Sequence, residues 1–161
     1  MWHRQYWYKL LMYIKEANMT GARSRKEFKK YKLHRKNNTS SICDLCNISE
    51  NDNRVVYQTN NFQVIKNKYP YSVWDSVSVS DHLMIIPTKH IDNLGALTDK
   101  EKIEFVDLVV KYENMGYNIY ARSPKSIVKS ITHQHTHLIK PTGKMKKIFI
   151  MSRFPYFIIS R

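Results

Sequence analysis

Acidic side chains are scarce in this sequence of 161 residues: 13 Asp and Glu stand against 27 Lys and Arg, for a formal net charge of +14. The shortage is uneven. Residues 1–42 hold 11 basic and 2 acidic side chains, residues 43–139 hold 10 and 11, and residues 140–161 hold 6 and none. A neutral centre between basic ends points to a polyanionic partner such as nucleic acid, an anionic membrane surface or a phosphorylated ligand. Cysteine is almost missing too. Cys43 and Cys46 suit a metal or a redox pair better than a disulfide framework, in agreement with a reducing compartment. No stretch approaches the roughly 18 consecutive apolar residues that would span a bilayer. The first residues, Met1 to Tyr8, lack the apolar core and small-residue cleavage site of a secretory signal; a cytoplasmic address is expected. Length and 42% hydrophobic content allow one domain with appendages and leave no room for two full ones. No internal repeat is visible.

Three segments are expected. In residues 1–41, Tyr6, Leu10, Tyr13 and Ala17, with Trp7, Leu11 and Ile14 beside them, have helical spacing over residues 4–17. A second helix starts at Ser24, where Ser24 to Glu27 has the form of a capping box. Its basic body, Lys26 to Lys36, is either a solvated face or a phosphate-contacting surface. The polar run Asn37 to Ser41 is the best linker. Residues 42–142 then turn β-rich, with runs at 54–58, 62–66, 76–79, 82–87, 117–121 and 133–139. The turn-like pair Asn60-Asn61 makes a hairpin of the first two. One long helix begins after Thr98, with Glu101 in reciprocal capping position, presents Ile103, Val106, Val109 and Val110 as an apolar face and stops at Gly116. This is an α+β pattern: a mostly antiparallel sheet of about five strands with one long helix. Residues 143–161 carry two short apolar runs, Lys146 to Met151 and Tyr156 to Ile159, expected to pack on the domain or on a second subunit.

The chemistry concentrates in His133-Gln134-His135-Thr136-His137-Leu138-Ile139. In a strand, side chains at i, i+2 and i+4 share a face, so the spacing predicts three imidazoles aligned on one side. Imidazole serves as nucleophile, acid, base or metal ligand near neutral pH, and a row of three permits a division of labour. Cys43-Asp44-Leu45-Cys46 offers two sulfur ligands; a tetrahedral zinc site needs two more, for which His90 and a triad histidine are candidates. The same pair could also pack without metal or serve in redox chemistry.

Residues from about 43 to 141 resemble the histidine triad family, nucleotide hydrolases and transferases marked by H-x-H-x-H followed by two apolar residues. Asn67-Lys68-Tyr69-Pro70 is similar to the family's strand-end segment. Asp81 to His90 is similar to its G-H-x-L-v-I-P-k-x-H stretch, and Thr98 to Glu101 falls where its long helix begins. The resemblance implies that His135 is a nucleophile attacking an α-phosphorus, with a nucleotidyl-histidine then hydrolysed by water. It implies that His137 and His82 bind the phosphate oxygens, that Ser130 contacts the leaving group and that Asn67 binds the ribose hydroxyls. Asn118 and Lys129 are further nucleotide-binding candidates. In zinc-containing members the metal positions correspond to Cys43, Cys46, His90 and His133, all filled here; such zinc is structural. A homodimer is implied as well.

The sequence departs from the family pattern at several places. Asp81 replaces the usual glycine before His82, which puts a carboxylate near a polyanion site. Lys129 stands where glutamine is frequent. Gln134 and Thr136 are polar where apolar residues are preferred, which predicts a less buried back to the triad strand. The basic segment from Asn118 to Ser130, with Arg122, Lys125 and Lys129, is read either as a phosphate-facing loop or as a solvated one. The expected activity is nucleotidyl hydrolysis of a phosphoramidate, mixed anhydride or dinucleoside polyphosphate. The alternatives are removal of a nucleotide from an adenylated nucleic-acid end, with aromatic and basic residues 2–32 gripping the strand, and a non-enzymatic nucleic-acid-binding module on the same fold.

Overall fold

A computed structural model describes residues 21–37, 43–75, 77–145, 148–150 and 157–159. The expected helix over residues 4–17 and the linker residues 38–41 lie outside them. The described residues form β1 (Gly21–Ala22), α1 (Arg25–Asn37), β2 (Val55–Gln58), β3 (Phe62–Lys66), β4 (Val73–Trp74), β5 (Val77–Pro87), α2 (Asp99–Asn114), β6 (Asn118–Ala121), β7 (Thr136–Met145), β8 (Ile148–Ile150) and β9 (Phe157–Ile159).

The sheet is antiparallel throughout, and its heart runs β2-β3-β5-β7-β6. The five-stranded α+β expectation holds, with two small additions: β4 pairs with the start of β5, and β1 pairs with β4. The two runs expected at 76–79 and 82–87 are one long strand, β5. It can be continuous because β7 accompanies it over most of its length, and register shifts between Val77 and Asp81 absorb the irregularity. β8 and β9 pair as a separate antiparallel ribbon.

Alternation along the strands separates two jobs. Phe62, Val64, Leu83, Ile85 and Leu138 face Leu108 and Tyr112 of α2 and make the main core. On the opposite face Ile65, Met84 and Ile86 pack under Leu45 and Ile48 of the cysteine-bearing loop. The second face therefore has a floor for that loop at one end and His82 and His137 at the other.

α2 begins as expected. Thr98 accepts from the Glu101 amide and the Glu101 carboxylate accepts from the Thr98 amide, a closed capping box. The same carboxylate takes a hydrogen bond from Lys89 Nζ at 2.7 Å, which ties the loop before His90 to the helix start. The ammonium holds the Glu101 carboxyl down at about 2. The apolar face expected to seat this helix is oriented differently. Ile103, Val106 and Val110 are exposed, and Leu108 and Tyr112 are buried, with Phe105 and Val109 partly so. β-branched residues are frequent on both sides of this helix, so spacing alone did not separate the inward stripe from the outward one.

The back of the triad segment is deeply buried, against the expectation raised by its polarity: Gln134 and Thr136 are each 2% exposed. Gln134 is accommodated because its amide N–H donates to the Ile91 carbonyl and its side-chain oxygen accepts from Lys129 Nζ at 3.1 Å. Thr136 has no such compensation: among the described residues its buried hydroxyl has no hydrogen-bond partner, which is a cost to the fold.

Candidate active site and metal centre

The three imidazoles do not form one row. β7 begins only at Thr136, so His133 and His135 precede the strand and His137 alone lies within it. The reason is local. The Gln134 amide bonds to Ile91 and His133 Nε2 lies 3.0 Å from the Pro87 carbonyl, so the chain bends toward the loop after β5 before it enters the sheet. His133 consequently turns toward the cysteines, while His135 and His137 face a cleft of about 1160 Å3.

Backbone partners decide where each ring carries its proton, because a carbonyl can only accept and an amide N–H can only donate. His135 Nδ1 is 2.8 Å from the His133 carbonyl, so Nδ1–H donates there and Nε2 keeps a lone pair. The Tyr71 amide donates to His82 Nδ1 at 2.9 Å, so the proton of His82 sits on Nε2. That Nε2–H points at His137 Nδ1, 3.0 Å away, and leaves the proton of His137 on its own Nε2. Asn67 lies against the same relay, its Nδ2 3.1 Å from His82 Nε2 and its Oδ1 accepting from the Tyr69 amide. With the ring proton on that nitrogen, the Asn67 amide protons are left for an acceptor in the cleft.

All these rings are held neutral. Burial first, then the Arg23 charge, pushes His82 down to about 3. Burial lowers His135, with Lys129 and Arg122 adding to it against the His133 carbonyl, and lowers His137 well below the ordinary range with help from His82. Tyr71 stacks on His82 at 4.8 Å between centroids, and His135 meets His137 edge to face at 5.1 Å.

The expected site residues fall into three groups. His135, His137, Ser130 and Asn67 line the cleft. His82 is buried behind His137 and reaches the cleft through it. Asn118 and Lys129 do not line it. Asn118 is exposed on β6, and Lys129 Nζ donates to the Asp92 carbonyl at 2.8 Å and to Gln134. Asp81 is likewise turned aside: its carboxylate accepts from the His82 amide and from the Tyr117 hydroxyl at 2.6 Å. Sequence reasoning missed Tyr71, which fixes the His82 tautomer through its main chain, a role no side-chain pattern advertises.

The second constellation lies beside the first. Cys43, Cys46, His90 and His133 offer ligand atoms that all lie within 4.8 Å of one another. Cys46 Sγ is 3.1 Å from His90 Nδ1 and 3.4 Å from His133 Nδ1, and Cys43 Sγ is 3.5 Å from the latter. Because His133 gives its Nε2 proton to Pro87, its Nδ1 presents a lone pair to the cysteine side. Two sulfurs and two imidazole nitrogens are a donor set that fits a tetrahedral metal.

Residues 41–150 match the family described as "Scavenger mRNA decapping enzyme C-term binding". The chain belongs to that family and so to the histidine triad proteins. Similar solved structures include a histidine triad hydrolase from Legionella pneumophila (21% identity, 60% of this chain and 90% of that one, TM-score 0.46). Others are a hypothetical histidine triad nucleotide-binding protein from Sulfolobus tokodaii (26%, 70% and 78%, 0.46) and a zinc-bound histidine triad protein from Mycobacterium smegmatis (18%, 63% and 76%, 0.48). No curated protein matches the chain. Among the described residues, no helix is long and apolar enough to cross a membrane.

The depressed histidine pKa values make a stability prediction for this histidine triad protein. Folded His82 stays neutral down to about 3, whereas the unfolded ring takes a proton near 6.5. The unfolded state therefore binds more protons below 6.5, and stability falls as pH drops, by about 1.4 kcal/mol per pH unit for one such ring. Urea unfolding at pH 7.5 and 5 should show this loss, and His82→Gln should shrink it. An equal loss in both proteins would show that His82 is not the neutral buried ring described.

Proposed function

We propose that the chain is a nucleotidyl hydrolase with His135 as its nucleophile. The observation that carries this reading is the Nδ1–H bond from His135 to the His133 carbonyl, which leaves a lone pair on Nε2 facing the cleft. That nitrogen attacks the α-phosphorus of a nucleotide; a P–N bond forms, the bond to the leaving group breaks, and its electron pair departs with the leaving atom. Water then attacks the phosphorus, the P–N pair returns to Nε2, and a nucleoside monophosphate is released as the water loses its proton. Splitting one displacement into two is the gain of a covalent intermediate.

The neighbouring residues take roles that their protons allow. His137 Nε2–H donates to a phosphate oxygen, where charge moves during transfer. His82 is a positioning residue that acts through His137, since its Nε2–H holds the His137 tautomer. Asn67 binds the ribose hydroxyls, and Ser130 donates to the leaving group. The substrate is a nucleoside phosphoramidate, a mixed anhydride or a dinucleoside polyphosphate. Release of nucleoside monophosphate from this panel tests the reading: His135→Ala should lose at least about a thousandfold in kcat, the scale of removing a nucleophile. Equal turnover by both proteins would overturn the assignment.

Zinc is the metal that the Cys43, Cys46, His90 and His133 donor set suits best. With four protein ligands it has no open position and acts as a structural clamp that anchors the segment presenting His135. Purified protein should contain about one zinc per chain and Cys43→Ser close to none; full zinc retention in that variant would refute the ligand set.

The protein is also read as a homodimer, supported by the exposed stripe of Ile103, Val106 and Val110 on α2. Sedimentation velocity should give the mass of two chains, and Val106→Lys should shift it to one. A wild-type protein that sediments as a single chain contradicts the reading.

A further inference from the structure

The main chain of His82 sits where β5 loses a neighbour. β3 ends at Lys66, opposite Leu83, so the regular ladder between the two strands stops one residue short of His82. The N–H and C=O of a strand residue point to the same side, and both polar groups of His82 therefore face that gap. The Asn67 amide fills half of it by donating to the His82 carbonyl at 2.9 Å. A side chain fills the other half: the His82 amide donates to Asp81 Oδ1 at 2.8 Å.

Asp81 is free to do this because it faces away from the cleft. Successive side chains of a strand alternate, so Asp81 shares the α2-side face with Leu83 and Ile85, which lie in the main core. There its second oxygen accepts from the Tyr117 hydroxyl at 2.6 Å. Tyr117 is placed by the end of α2. Gly116 adopts φ +83°, a left-handed turn that glycine enters without strain, and the Tyr117 amide then donates back to the Tyr112 carbonyl at 3.1 Å. Its buried ring meets Tyr112 edge to face at 5.4 Å between centroids and carries the Lys140 ammonium at 5.3 Å. The phenol is thus held from three directions independently of the carboxylate.

The bonds run from phenol to carboxylate to amide, and each keeps its direction. Burial, then the Asp81 carboxylate, raises the Tyr117 hydroxyl well above its ordinary range, so it remains a donor. An ionised carboxylate only accepts, and hydrogen bonds to a charged acceptor are the stronger kind. Of the contacts that hold the His82 main chain and Nδ1, those from Asn67 and Tyr71 are made by backbone amides. The contact from Asp81 is made by a side chain. Glycine, which the family pattern has at this position, has no group to offer, so the anchor belongs to this chain's own sequence. With Nδ1 pinned by Tyr71, a displaced main chain would tilt the ring, and the 3.0 Å approach of Nε2 to His137 would suffer first.

We propose that Asp81 and Tyr117 are positioning residues for the histidine relay: they brace the His82 main chain from the end of α2, and through it the Nε2–H bond that fixes the His137 proton. Their effect on turnover rests on the nucleotidyl-hydrolase reading, whereas the brace itself needs no substrate. Neither residue touches the reacting atoms.

The brace is read through exchange of the His82 Nε2 proton with water, followed by 15N–1H NMR of the full chain at neutral pH. Tyr117→Phe removes one oxygen and leaves the ring; it should speed exchange at least about tenfold, the scale of one hydrogen bond to a charged group. Asp81→Gly should do at least as much, and Asp81→Asn, which keeps an oxygen for the His82 amide, should fall between wild type and glycine. Tyr112→Phe removes a hydroxyl from the same end of α2 without touching Asp81 and should leave exchange within about twofold of wild type. Unchanged exchange in Tyr117→Phe and Asp81→Gly overturns the proposal. Acceleration by Tyr112→Phe as large as that by Tyr117→Phe overturns it too, since it would mean a general loosening of the helix end. With adenosine phosphoramidate as substrate, Tyr117→Phe should lower kcat about tenfold with KM little changed. Exchange that responds as expected in a wild-type protein without turnover keeps the brace and refutes the hydrolase reading. An active wild type with exchange and kcat unchanged in both variants refutes the brace and keeps that reading.

Discussion

The hydrogen bond from His135 Nδ1 to the His133 carbonyl is the contact on which the rest of the site depends. A main-chain oxygen cannot donate, so the bond leaves one tautomer for a buried neutral ring. The same logic repeats twice nearby, through Pro87 for His133 and Tyr71 for His82. Three imidazoles of identical chemistry are thereby given different work: a lone pair toward the sulfur cluster, a lone pair toward the cleft, and a proton passed along toward His137. Burial keeps the rings neutral, and neutrality is what makes the tautomers meaningful.

The fold supplies these backbone partners from separate elements. Pro87 ends β5, Tyr71 precedes β4, and His133 lies in the bend before β7; the long β5–β7 pairing fixes the distances among them. The cysteine cluster and the cleft share that bend, so a metal held at His133 would steady the residue two positions on. Docking of α1 onto Asp44 joins the same unit. The basic helix α1 is then a wall of the cleft as well as a source of charge.

Much of this was legible in the sequence. The antiparallel α+β sheet followed from short alternating runs, and the Thr98 to Glu101 box announced α2 correctly. The sulfur and imidazole ligands could be named because two residues separate the cysteines and the histidine positions matched a known pattern. What escaped were features decided by tertiary contact. The outward turn of Ile103 and Val106 depends on which side of α2 meets the sheet. Burial of Gln134 and Thr136 depends on Lys129 reaching inward and on the α2-side core. His82 stands behind His137 because β5 and β7 pair Met84 with His137. The role of Tyr71 lies in its amide, and every residue but proline has one.

The central claim is a distribution of protons, and it can be observed without substrate. In two-dimensional 15N–1H NMR spectra tuned to imidazole couplings, the account predicts that His135 shows a pyrrole-like Nδ1 and a pyridine-like Nε2 at neutral pH. It predicts the reverse pattern for His82, with the proton on Nε2. A His135 ring with its proton on Nε2, or charged at both nitrogens at pH 7, would leave no lone pair toward the cleft and would contradict the account.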